Sequence, residues 1–283
     1  MSEPLWRRTR DGLMIPPILY GTAWKKDHTA ALVAQALAAG FCGIDTACQP
    51  RHYNEPGVGE GIRAARRPEG DTPLYLQTKF TSPAGQDPTT VPYDPQLPLE
   101  EQIDASFAVS CANLAPARPD TLILHSPLPT GEETLRAWRA MERLQQRGEV
   151  ALLGISNCYD LALLQHLCAN ATVLPSIVQN RFYADSGYDT ELRAWCDGQG
   201  ILYESFWTLT ANTRALGSLA LGRLADRHRC EPTQIFLRYV TQLGIVPLVG
   251  TRDETHMRDD LAIFDFQLDA AQMQTVAQAL MGA

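Results

Sequence analysis

Six short apolar runs in this chain end in, or carry near their ends, a group capable of chemistry. GIDTA holds Asp45, LYLQTKF holds Lys79, TLILHS holds His125, ALLGISN closes on Ser156 and Asn157, SIVQNRF holds Gln179 and IVPLVGT ends at Thr251. Lys79 is the most telling of these. An ammonium at the end of a buried run is costly to desolvate unless a carboxylate shares its site, and Asp45 on the preceding run can supply that charge. A lysine so placed either stays charged as an electrostatic partner or, uncharged, acts as a Schiff-base nucleophile, as in a lyase or aldolase. Asp45 argues for the charged form. Any one such pair could merely satisfy its own polar groups, but five or six runs ending this way point to a site.

The elements that must position these groups are legible as an alternation. After a hairpin signalled by Asp11-Gly12, short apolar runs alternate eight times with longer stretches of helical periodicity. The runs are ILYGT, GIDTA, LYLQTKF, TLILHS, ALLGISN, SIVQNRF, ILYESFW and IVPLVGT. HTAALVAQALAAG reads as a helix closing on Gly40, and ETLRAWRAMERLQQRG places Leu135, Trp138, Met141 and Leu144 on one face and stops at Gly148. Such alternation implies a parallel sheet, and eight repeats in 283 residues imply a single α/β domain over 1–283, a (β/α)8 TIM barrel. Residues 1–16 form an N-terminal β-hairpin plug, 81–98 a loop inserted after the third strand, and 267–283 an extra C-terminal helix. In this fold the active site is built at the C-terminal ends of the strands, where the polar groups fall.

Composition excludes several classes. A formal net charge of −8 repels phosphate backbones and anionic lipid, and Lys and Arg are scattered, so neither nucleic acid nor membrane is an expected partner. No apolar run reaches membrane-spanning length and the start is too polar for a signal peptide, which makes the expected location cytoplasmic. The seven cysteines are odd in number, dispersed and without C-x-x-C, so they read mostly as small buried hydrophobes. The six histidines show no metal-ligand spacing, so no metal is expected. Gly57, Gly59 and Gly61 in EPGVGEGI follow no strand directly, and read as a helix start rather than a phosphate loop.

The stretches PPILYGTAW, GFCGIDTA, HYNEPGVGEGI, LQTKF, TLILHSP, LLGISN, VQNRFY, PLVGT and HMRDDLAIFDF, in this order, resemble the aldo-keto reductase family across nearly the whole chain. The resemblance implies a barrel that binds NADPH and reduces aldehydes or ketones, with Asp45, Tyr53, Lys79 and His125 as the catalytic four. Tyr53 would be the general acid, its pKa lowered by Lys79, which Asp45 holds charged; His125 would orient the carbonyl. In the family the tyrosine commonly follows the aspartate by five residues, whereas DTACQPRHYNE places it eight later. Counted back from Glu55, the register falls on His52, so both residues are candidates and Tyr53 is favoured.

The resemblance also carries the cofactor contacts. Ser156, Asn157 and Gln179 would bind the nicotinamide carboxamide, Phe206 would stack on the ring beside Trp207, Gly21, Thr22 and Asp45 would line the ribose side, and Leu209 the pyrophosphate. The family's phosphate-gripping Lys and Arg fall on Gly250 and His256, leaving Thr251, Arg252 and His256 for that task. NADPH is therefore the expected cofactor, with NADH the alternative. Asp259 and Asp260 would lie near the adenine. Trp24 and Trp207 would wall the substrate pocket, whose usual C-terminal cover is expected to be absent, so that the 81–98 loop would cover part of it. The expected partner is a small-molecule carbonyl, and the expected state a monomer. A barrel that binds nucleotide without turnover, as a sensor or subunit, is the competing reading.

Overall fold

The computed structural model describes residues 6–66 and 73–282. Eight parallel strands close into a barrel: β3 (Leu19–Gly21), β4 (Gly43–Asp45), β5 (Tyr75–Phe80), β6 (Thr121–Leu124), β7 (Leu152–Ser156), β8 (Ile177–Arg181), β9 (Leu202–Phe206) and β10 (Val246–Val249), with β10 pairing back onto β3. The expected TIM barrel is thus present. The Asp11-Gly12 turn joins β1 (Arg7–Arg8) to β2 (Met14–Ile15) in an antiparallel hairpin. Ile15 packs with Leu19, Tyr75, Leu152, Ile177 and Val246, residues from the lower ends of the strands, so the hairpin plugs the barrel floor. The rest of that N-terminal segment, residues 1–5, and residue 283 lie outside the described residues. Within the C-terminal stretch, α11 (Ala270–Met281) forms the extra helix.

Local sequence explains the connections. α1 (Thr29–Ala39) buries Leu32, Val33, Ala36 and Leu37 and ends at Gly40, whose φ of 116° is open to glycine. The glycines of EPGVGEGI lie inside α2 (Glu55–Ala64), and they are there for close packing. A Cβ on Gly59 would stand 2.1 Å from the Asn113 carbonyl oxygen of α3 (Leu99–Leu114), and one on Gly61 would stand 2.6 Å from that of Ala30 on α1. Between β5 and α3, residues 81–98 are pinned to the β4–α2 loop: Gln86 donates to the Cys48 carbonyl and Gln49 donates to that of Gly85.

Candidate active site

At the upper end of the barrel, Lys79 Nζ lies 2.5 Å from Asp45 Oδ1 and donates at 2.9 Å to the Thr46 carbonyl, with both side chains buried. Burial works against the Lys79 charge, but Asp45, and after it Tyr53, hold its pKa above the ordinary value. A charged lysine is the form that Schiff-base chemistry excludes.

The loop after β4 sets which aromatic ring lies beside this pair. The amides of His52 and Tyr53 both donate to the Gln49 carbonyl, a tight turn that absorbs the extra residues. It turns the His52 ring onto Trp24, 4.0 Å between centroids, and brings the Tyr53 ring over Lys79, with Nζ 5.3 Å from its centroid. Tyr53 also meets His125 edge-on at 6.0 Å. Burial raises the Tyr53 pKa; the charge and hydrogen bond of Lys79 pull it back and Asp45 pushes it up. The phenol is therefore raised overall rather than lowered, because desolvation outweighs the lysine, and it keeps its proton at neutral pH. His125 is pushed down to about 3 by burial, then by Lys79 and His52, so it is a neutral imidazole, with Nδ1 2.6 Å from Thr81 Oγ1.

Beside Asp45 lies a residue that the sequence reading passed over. Glu204, on β9, is fully buried, and its Oε2 accepts from the amide nitrogens of Gln77 and Gln179 at 2.8 Å each. The same two nitrogens donate to Asp45 Oδ1, at 2.8 and 3.1 Å. Two carboxyl groups are thus clipped together by two carboxamides. Burial above all, with a further push from Asp45, raises Glu204 to about 7. Both N–H groups of Gln179 are spent on this clip, which leaves only its carbonyl oxygen for a cofactor carboxamide.

Around the rim, Ser156 is buried, and Asn157 Nδ2 donates to the His125 carbonyl at 2.8 Å. Trp24 and Trp207 are about half exposed, at 48% and 49%, and Phe206 is partly buried between its neighbours. Trp24, Asn157 and Trp207 all have positive φ, 62°, 53° and 54°, a conformation that asparagine adopts readily but that is costly for the two tryptophans.

On the β10 and β3 side, Thr22 bonds the Asp45 carbonyl, Tyr20 bonds that of Thr251, and Arg252 donates at 2.6 Å to that of Trp24. Gly250 is packed against a second residue missed in the sequence, Lys25. Its ammonium donates to the Gly250 carbonyl and lies 3.2 Å from where a Gly250 Cβ would stand, so the absence of a side chain there makes room for it. Lys25 is lowered to about 8 by burial and by Arg252, and neither cation has a carboxylate within 4 Å among the described residues. His256 is exposed near the start of α10 (Glu254–Ala262), Leu209 and Asp259 are half buried, and Asp260 is buried and raised to about 7 by burial and then by Asp259. A shallow recess of about 650 Å³ beside the hairpin, lined by Arg8, Asp11, Asp197 and Leu202 among others, lies at the other end of the barrel from all these groups.

A model of the Aldo/keto reductase family matches residues 13–203 and 204–280. The chain belongs to the aldo/keto reductase family. It is an oxidoreductase of that class. Methylglyoxal reductase DkgA of Salmonella typhimurium is 26% identical over 285 residues, covering 100% of this chain and 96% of the relative. A crystal structure of an aldo/keto reductase from Brucella melitensis superposes with a TM-score of 0.83 at 25% identity, covering 99% of each chain. A mutant of Gox0644 in complex with NADPH shares the fold, with a TM-score of 0.81 at 24% identity over 98% of this chain and 94% of that one. Among the described residues no helix is long and apolar enough to cross a membrane.

Proposed function

We propose that this aldo/keto reductase is an NADPH-dependent carbonyl reductase in which Tyr53 is the general acid. The observation that carries the reading is the placement of Tyr53, and not His52, against both Lys79 and His125.

The chain's own polar atoms fit a dinucleotide. Lys25 and Arg252 form a pair of cations without a counter-charge, the arrangement that a phosphate completes. Lys25 takes up the task that Gly250 cannot perform. The Gln179 carbonyl oxygen is free to accept from a carboxamide, and Phe206 presents a ring edge or face for stacking. NADPH, when bound, supplies a hydride to the carbonyl carbon.

Everything else falls to side chains. The hydride leaves negative charge on the carbonyl oxygen, and a donor must neutralise it there. Tyr53 holds its proton until that charge develops, and the Lys79 ammonium then stabilises the phenolate left behind. Asp45 keeps Lys79 charged, and the Glu204, Gln77 and Gln179 clip keeps Asp45 in place. In this reading the Thr81 hydroxyl donates to His125 Nδ1, so that Nε2 carries the proton that orients the carbonyl oxygen. A small dicarbonyl of the methylglyoxal kind is a substrate that such a site accommodates.

The test is to titrate the protein with NADPH and with NADH by quenching of Trp fluorescence, then add methylglyoxal or 4-nitrobenzaldehyde and follow the nicotinamide absorbance. Saturable quenching with carbonyl-dependent oxidation is the expected result. Binding without turnover would replace the reductase by a nucleotide-binding barrel.

A further inference from the structure

Arg181 closes β8 two residues beyond Gln179. Side chains two apart share a strand face, and each residue advances about 3.3 Å, so Arg181 stands about 7 Å above the layer in which Gln179 touches Asp45. That is one step further toward the mouth, in line with Lys79 above Gln77. Its guanidinium carbon lies 4.3 Å from the centroid of Trp207 and 5.1 Å from that of Tyr183, so two rings flank the group. Its backbone N–H is bonded to the Tyr159 hydroxyl at 3.0 Å, which fixes the root of the side chain. Yet none of the guanidinium N–H donors has a hydrogen-bond partner, and no carboxylate lies within 4 Å, among the described residues. A guanidinium flanked by two aromatic rings, with its donors unspent, is placed to receive a planar anion in two parallel hydrogen bonds. In the proposed reading the cofactor phosphates have their own cations, Lys25 after β3 and Arg252 after β10, three and two strands away from β8.

We infer that Arg181, framed by Trp207 and Tyr183, is a specificity residue that selects carbonyl substrates bearing a carboxylate. The inference rests on the reductase reading and assigns its substrate class: oxo acids and carboxylated aldehydes in preference to neutral carbonyls of the same shape. Arg181 takes no part in hydride or proton transfer, and its contribution is to KM. The imidazole of His125 is neutral and Lys79 is compensated by Asp45, whereas Arg181 has no carboxylate within 4 Å among the described residues.

The experiment compares two matched pairs, 4-carboxybenzaldehyde with 4-nitrobenzaldehyde and succinic semialdehyde with butanal, on the wild type, Arg181→Met and Arg181→Lys, with the Kd for NADP+ measured on each protein. In the wild type the charged member of at least one pair is expected to show a KM at least 10-fold lower than its neutral partner. Arg181→Met loses this preference while kcat for the neutral aldehyde and the Kd for NADP+ stay within twofold, and Arg181→Lys recovers only part of it, because a point charge lacks the planar fork. Equal KM values within both pairs, or a preference that survives Arg181→Met, would overturn the assignment. So would an NADP+ affinity that falls with Arg181→Met, which would give the residue to the cofactor. A wild type that reduces none of the four would overturn the reductase reading and this inference together, whereas reduction of the neutral aldehydes without preference defeats the inference alone.

Discussion

Replacing Asp45 by Asn puts the buried charge pair to a quantitative test. Lys79 Nζ and Asp45 Oδ1 are 2.5 Å apart, with 1% and 3% of their side chains exposed, so water cannot take over when one charge is removed. Removing one partner of a buried pair costs about 3–5 kcal/mol, because the other is left uncompensated. Unfolding entropy near 2.1 cal/mol/K per residue corresponds to about 0.6 kcal/mol per degree for a chain of this length, so Asp45→Asn should lower Tm by about 5–8 °C. The lysine keeps the Thr46 carbonyl as an acceptor, which holds the loss toward the lower end of the range. Lys79→Met should cost a similar amount. The double variant, with no charge stranded, should unfold above either single one. Calorimetry of the four proteins at pH 7 measures this directly. If Asp45→Asn unfolds within about 1 °C of the wild type, or if the two single losses simply add in the double variant, the pair is not a coupled buried unit and the electrostatic basis of the site is wrong.

Three further perturbations follow from the same geometry. Glu204 keeps its proton up to about pH 7 in the native state, against 4.5 for the ordinary group. The native chain therefore holds a proton that the unfolded chain has released, so that its stabilising effect is full below about pH 4.5 and is lost as pH rises through 7, by about 3 kcal/mol in all. Glu204→Gln abolishes that loss, and its Tm relative to the wild type should climb by about 5 °C between pH 5 and pH 8 in thermal scans; a constant difference would refute it. Lys25→Ala should weaken NADPH binding roughly 10-fold or more at low salt, as expected for a lost charge-assisted contact to phosphate, with the gap narrowing as salt is added; equal fluorescence titrations would remove Lys25 from the phosphate site. Gly59→Ala should lower Tm by at least about 2–5 °C, since its Cβ would meet the Asn113 carbonyl oxygen at 2.1 Å and α2 and α3 must part. An unchanged Tm would show that the helices yield freely.

The barrel was legible because its periodicity repeats eight times, and so was the buried lysine pair, because a charge at the end of an apolar run demands a partner. Other residues were hidden for physical reasons. Glu204 sits mid-run in ILYESFW, and only its inward direction, with Gln77 and Gln179 arriving from β5 and β8, makes it part of the site. Lys25 lies in the polar stretch WKKD and reads as solvated; its burial comes from the missing side chain of Gly250, far away in sequence. Arg181 is followed by Phe182 and Tyr183 in sequence, but the ring it stacks on most closely, Trp207, belongs to the next strand's exit. Which of the His52 and Tyr53 rings lies beside Lys79 depends on a loop conformation, two amides converging on the Gln49 carbonyl, and no residue type reports that. The expected drop in the Tyr53 pKa weighed the lysine but not the desolvation that the loop imposes.

The central claim is that Tyr53 donates the proton. The measurement that tests it most directly is single-turnover oxidation of bound NADPH by 4-nitrobenzaldehyde in the wild type, Tyr53→Phe and His52→Ala, with the Kd for NADPH determined on each. The account predicts that Tyr53→Phe binds NADPH within about twofold of the wild type and transfers hydride roughly 100-fold or more slowly, the usual scale of a general acid, while His52→Ala stays within about threefold. A Tyr53→Phe variant that turns over like the wild type, or a loss that follows His52 instead, would contradict it.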